Sequence, residues 1–256
     1  MDILNCLMER LAQILKIYIS ELSDFMDEEH ILFLSDSDNL EKLIQFSDAG
    51  TGAWCNHKKI FFGNDTSSFI EVLRQNPLYG TQPYKPLVIN SNFIDNELDY
   101  IDYMQHFILA GKQEIDFYLD MLPHEAMHLI GVSGGIIGEG VTEKLTREIC
   151  FKHKIHCAPI CHSKETKLAC LIEKIVGKNI LTRAGFENGF FQYTELEEHI
   201  DMKLGKGSFA KIYGSTQPTY FETYINKKYQ TPFEKFKAYR ELNFDIAYAV
   251  LSQNCS

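Results

Sequence analysis

Along the first 22 residues, apolar side chains at positions 3, 4, 7, 8, 11, 14, 15, 18 and 22 recur at the three- and four-residue spacing that lines one face of a helix. The stripe predicts an amphipathic N-terminal helix packed on the rest of the chain. Asp2, Glu9 and Arg10 interrupt the apolar positions. The segment therefore has neither the apolar core of a signal peptide nor the run of about 18 apolar residues that a membrane span needs. Its polar face is not rich in Lys and Arg, which disfavours a helix lying on a membrane surface.

Beyond an acidic turn at 24–29, four short runs rich in β-forming residues (31–34, 43–46, 59–62 and 86–89) are bounded by Gly, Asn, Asp and Pro and read as strands. Residues 51–57 read as a loop leading into the third of these, and 67–75 as a short helix. The order is not a regular alternation of strand and helix, so a doubly wound sheet is disfavoured.

From Asn96 onward the periodicity becomes helical. A long candidate helix covers 114–130, with Leu119, Leu122, Ala126, Leu129 and Ile130 among its apolar positions. Pro123 lies within it. Because proline is costly inside a helix, the expected start moves to about Leu122, with 118–121 as a separate turn. The Gly- and Ser-rich stretch 131–138 predicts a reversal, and a second helix then runs from Gly138 or Glu139 to Cys150. Further helices are expected at 163–176, 179–184 and 231–253, with looser structure over 185–229. The pattern is α+β: one unit over 1–256, with a mixed sheet-and-helix lobe over about 1–130 and a mostly helical lobe over 131–256.

Charge and cysteine content narrow the function. With 25 Lys and Arg against 35 Asp and Glu, the formal charge is −10, which repels phosphate backbones and anionic membranes; neither nucleic acid nor a membrane is an expected partner. Seven cysteines without a secretion signal point to thiols in a reducing, cytoplasmic setting. Cys150, Cys157, Cys161 and Cys170 share a stretch with His153, His156 and His162. That raises a second metal site as an alternative to buried or incidental thiols, but only one short gap, Cys157 to Cys161, resembles zinc spacing, and it has no matching pair.

The string His124-Glu125-Ala126-Met127-His128 carries the chemistry. Two imidazoles four residues apart share one helix face and can reach one ion. Glu125 projects beside that ion, where it can accept a proton from water; HExxH on a helix is the recurrent signature of zinc proteases. A catalytic zinc takes three protein ligands and keeps a fourth position open. After the Gly-rich reversal, Glu139 and Glu143 stand four apart on the second helix, Glu139 placed to complete the coordination and Glu143 to accept the outward N–H of a ligand histidine. The competing reading is a solvated helix face on which Glu143 pairs with Lys144 or Arg147.

His124, Glu125 and His128, followed by Glu139 in the form Glu-Gly-x-x-Glu, resemble the active-site helices of the gluzincin class of zinc metallopeptidases. The resemblance spans about 122–149. It implies a zincin-like fold, one Zn2+ per chain held by His124, His128 and Glu139, Glu125 as general base, Glu143 supporting a histidine, and hydrolysis of a peptide or protein substrate through a metal-activated water. Ten residues separate His128 from Glu139, fewer than in many members of the class, which implies a tight hairpin. A metzincin site is contradicted by 131–135, which offer no third histidine.

Such sites usually add a donor for the developing oxyanion. Tyr193, His199, Tyr213, Tyr220 and Tyr224 all follow in chain order, and the sequence does not choose among them. The glycine-rich stretch 204–214 resembles the nucleotide loop of protein kinases. Only 42 residues follow Gly214, and no HRD or DFG string exists, so 205–208 is read as a turn. Two alternatives to a peptidase remain: a metal-stabilised binding or regulatory module, and a zinc hydrolase acting on a non-peptide amide. Retention of Glu125 favours an enzyme, because a purely structural site has no use for a base there.

Overall fold

The computed structural model describes residues 3–47, 53–56, 59–63, 114–132, 135–157, 163–186, 193–215 and 251. In chain order the elements are α1 (Ile3–Leu22), α2 (Glu28–Ser35), α3 (Leu40–Leu43), β1 (Ile44–Ser47), β2 (Ala53–Asn56), β3 (Lys59–Gly63), α4 (Glu114–Leu129), α5 (Gly135–His153), α6 (Ser163–Val176), α7 (Lys178–Phe186), α8 (Thr194–Leu204) and α9 (Ser208–Ser215). Helices predominate among the described residues. The expected strand at 86–89 and helix at 67–75 lie outside them, as does the helix at 231–253 apart from Leu251.

Chain contacts divide the molecule into two compact units, Met1–Val132 with Leu145–Ser163, and Ser133–Lys144 with Lys164–Ser256. In the first, α1 buries Leu7, Leu11, Ile14, Leu15, Tyr18 and Leu22, the face its apolar stripe predicts, and packs along α4. Residues 145–163 belong to this unit because the C-terminal half of α5 is tied to α1: Lys152 and His153 both reach Glu21, at 2.8 and 2.7 Å, and the Cys150 thiol lies 3.8 Å from the Tyr18 hydroxyl.

A three-stranded sheet of order β1-β3-β2 packs on α4 through β2 and β3. β1 runs parallel to β3 with Ile44 opposite Ile60, and β2 runs antiparallel to β3 with Cys55 opposite Ile60. Two expectations change here. Residues 53–56, read as loop, are strand β2, because pairing with β3 supplies backbone partners that composition does not announce. Residues 31–34, read as a strand, lie in α2. Asp27 caps that helix, its carboxylate accepting from the N–H groups of Glu29 and His30 at 2.8 and 3.3 Å, and Glu28 and Glu29 complement the helix dipole in the first turn.

Helix α4 runs unbroken through Pro123, with no break near Leu122. Interior proline costs about 3 kcal/mol, and burial offsets it: Tyr118, Leu122, Ala126, Leu129 and Ile130 are essentially inaccessible. The Pro123 carbonyl also accepts a hydrogen bond from the buried Tyr18 hydroxyl at 2.9 Å. Helix α5 starts at Gly135, a turn earlier than expected, and extends past Cys150 to His153. It ends in a Schellman motif: Lys154 takes a left-handed conformation (φ 55°), the Ile155 N–H donates to the Cys150 carbonyl at 2.8 Å, and the Lys154 N–H donates to the Phe151 carbonyl at 3.3 Å.

In the second unit, Gly140 of α5 sits against α6. A Cβ at this position would collide with the Glu165 carbonyl, and that backbone cannot rotate away. Gly140→Ala is therefore expected to destabilise the protein by about 1–3 kcal/mol, the range for overpacking, as measured by denaturant unfolding; an unchanged midpoint would show that α5 and α6 do not approach this closely.

Where loose structure was expected over 185–229, α8 and α9 form instead. Tyr193, Phe209 and Tyr213 cluster with ring centroids 5.5–6.1 Å apart. The Asp201 carboxylate accepts from the N–H groups of Gly207 and Phe209 at 2.6 and 2.8 Å. These contacts join short helices across a turn, and hydrophobic periodicity does not report them. The predicted turn is present, with Gly205 and Gly207 both at positive φ.

The Phe209 N–H, then the Gly207 N–H, hold the Asp201 carboxyl below its ordinary range. A depressed folded-state pKa adds stability above the unfolded value and loses it as pH falls through the folded one. Acidification below the ordinary aspartate range is thus expected to speed amide exchange at Gly207 and Phe209 in the native protein. Asp201→Asn should exchange faster at neutral pH and lose most of that acid response; identical profiles would remove the cap.

Candidate metal centre

The histidines come from α4, where one helical turn between His124 and His128 sets their rings edge to face on the same side of the helix. Their centroids are 4.9 Å apart, and the two Nε2 atoms face each other at 3.2 Å. Two nitrogens each about 2.0–2.1 Å from one tetrahedral ion stand about 3.3 Å apart, so the imidazole pair already has the separation that a shared zinc requires. Both histidines are 9% exposed.

Glu139 enters from the second turn of α5. Its carboxylate and the two imidazoles offer ligand atoms that all lie within 4.8 Å of one another, and this is the one such group among the described residues. Two neutral imidazoles and one carboxylate are a donor set suited to zinc, so the residues present fit that ion.

The His128 ring is oriented from behind. Its Nδ1 lies 3.1 Å from the Val132 carbonyl, and since a carbonyl only accepts, Nδ1 carries the proton and Nε2 keeps its lone pair for a metal. The acceptor is main chain at position i+4, which no side-chain motif reveals. The Leu129 carbonyl, at the end of the same helix, is held at 2.9 Å by His30 of α2.

Glu125 is 4% exposed. Beside it, burial and then the Glu125 carboxylate push the Cys55 thiol well above the ordinary range. Cys55 comes from β2. Glu143 is 2% exposed and Lys144 8%, with the Lys144 ammonium 2.5 Å from Glu173. The second helix therefore does not present these residues on a solvated face.

Other candidates are accounted for differently. His153 pairs with Glu21 and His156 with Asp120, at 2.7 and 2.8 Å, and among the described residues none of Cys150, Cys157, Cys170, His153 and His156 joins a metal-ligand cluster. Cys161 and His162 lie outside the described residues. Tyr193 and Tyr213 belong to the aromatic cluster with Phe209, and His199 Nδ1 lies 2.8 Å from the Glu195 carbonyl of its own helix. Tyr220 and Tyr224 lie outside the described residues. No protein-family model, curated protein or solved structure matches this chain.

Proposed function

We propose that the chain is a zinc-dependent peptidase of zincin-like α+β fold, acting on peptide or protein substrates, with His124, His128 and Glu139 as ligands of one Zn2+. The observation that carries this reading is the pair of Nε2 atoms facing each other at 3.2 Å with the Glu139 carboxylate converging on them. Zinc bound there supplies Lewis acidity toward water and toward the scissile carbonyl.

The chain's own residues do the rest. The Val132 carbonyl holds His128 in the tautomer that leaves Nε2 bare, and Glu143 supports the ligand set from the next turn of α5. The Glu125 carboxylate accepts the proton of the attacking water and delivers it to the amide nitrogen as the C–N bond breaks. Burial around Glu125 keeps bulk water from competing for that proton.

The first test is metal content. Protein purified after growth with zinc and dialysed against metal-free buffer is expected to retain about one zinc per chain, and to cleave members of a peptide library. Absence of bound metal, or binding of zinc without cleavage of any amide, would overturn the peptidase reading.

A further inference from the structure

A helix leaves its last four carbonyls without partners of its own. In α4 these belong to Ala126, Met127, His128 and Leu129, the turn that carries the second ligand histidine. The chain that follows supplies three donors. The Ile130 N–H reaches the Ala126 carbonyl at 3.1 Å, the Gly131 N–H reaches His128 at 3.1 Å and the Val132 N–H reaches Met127 at 3.3 Å. The last two bonds form a Schellman motif, with Gly131 at φ 120°, a conformation that a side chain would strain. The fourth carbonyl, Leu129, is met from α2, 99 residues away in sequence, by His30 Nε2 at 2.9 Å. A carbonyl only accepts, so His30 Nε2 carries a proton and donates.

Val132 is tied through both of its main-chain polar groups. Its N–H closes the Schellman motif, and its carbonyl, 3.1 Å from His128 Nδ1, holds the ring whose Nε2 faces His124. The turn that places this carbonyl spans 129–132, and His30 anchors its first peptide group. His30 is itself fixed in the first turn of α2, where its N–H donates to the capping Asp27 carboxylate at 3.3 Å.

We propose, on the zinc reading given above, that His30 is a positioning residue of the metal centre: by holding the Leu129 carbonyl it fixes the turn that presents the Val132 carbonyl to His128, and so sets how firmly the centre holds zinc. Without the imidazole, the Leu129 carbonyl turns to water and the peptide groups of 129–132 gain freedom. The His128 ring then loses its fixed partner for part of the time, and the ion loses a preorganised ligand.

Three forms of the full chain test this: the parent, His30→Leu, which removes the donor, and His30→Gln, whose side-chain amide keeps one at similar reach. Zinc affinity is measured by competition with a chromophoric chelator, on folded protein well below its unfolding midpoint, where a loss of global stability alone leaves the affinity unchanged. His30→Leu is expected to bind zinc about tenfold more weakly, the lower end of the range for losing a group that orients a ligand. His30→Gln should recover most of the difference. In the metal-free proteins, amide exchange at Gly131 and Val132 should be faster in His30→Leu and close to the parent's in His30→Gln.

Equal zinc affinity in the parent and His30→Leu would overturn the proposal and leave the zinc reading standing. Weaker binding that His30→Gln does not recover, or that comes with unchanged exchange at Gly131 and Val132, would overturn it as well, because the effect would then bypass the donor or the turn. A parent that binds no zinc would refute the zinc reading itself, and with it any role of His30 in holding the ion.

Discussion

Glu125→Gln is expected to lower peptide hydrolysis by about 10²–10⁴-fold, the range in which a positioned general base acts, while zinc stoichiometry stays that of the parent protein. The substitution suits the question because glutamine keeps the volume of a side chain that is 4% exposed and removes only its basicity and charge. Neither ligand histidine is touched. An internal control is available in Cys55, whose thiol is raised by burial and by the Glu125 carboxylate. In the variant the second cause is gone, so Cys55 should become more readily alkylated at a given pH. If turnover is unchanged while Cys55 responds, Glu125 has been neutralised in place and is not the base.

His128→Ala is expected to lose the metal and, with it, all zinc-dependent stabilisation. A ligand that binds only the folded chain adds RT ln(1 + [L]/Kd), about 4 kcal/mol at a thousandfold excess over Kd, so the parent's unfolding midpoint should rise with zinc concentration. The variant's should not. A second, smaller loss should persist when both proteins are stripped by a chelator, because the Val132 carbonyl, whose residue is 1% exposed, loses the His128 Nδ1–H donor. A buried acceptor left in that state costs about 1–3 kcal/mol. Comparing both proteins with and without zinc separates the two contributions. Equal zinc-dependent shifts in parent and variant would remove His128 from the ligand set.

Much of this centre was legible in the residues themselves. Four-residue spacing on a helix puts His124 and His128 on one face wherever the helix forms, and a short reversal leaves little choice about which side of α4 Glu139 can approach. What escaped the sequence is of two kinds. The Val132 carbonyl that orients His128 is main chain, identical in kind at every position, so no residue type marks it. The other kind is tertiary. Residues 118–121 suggest a break because Pro123 follows, yet α4 runs through them and buries Tyr118, Leu122, Ala126 and Leu129. Residues 53–56 contain nothing that forbids a loop and become β2 only because β3 pairs with them. The run 31–34 reads as a strand from its β-forming residues, yet it lies in a helix that Asp27 caps.

The packing of α1, β2 and β3 on α4 sets a limit on transplanting the centre. A forty-residue graft of 114–153 would carry every proposed ligand and the base. It would leave behind the α1 face that encloses α4, and with it the donor that meets the proline carbonyl. Cut from its neighbours, the segment would carry the proline's cost of about 3 kcal/mol without the burial that offsets it. A designer wishing to move this chemistry to another scaffold must therefore bring the packing surfaces of α1, β2 and β3 as well.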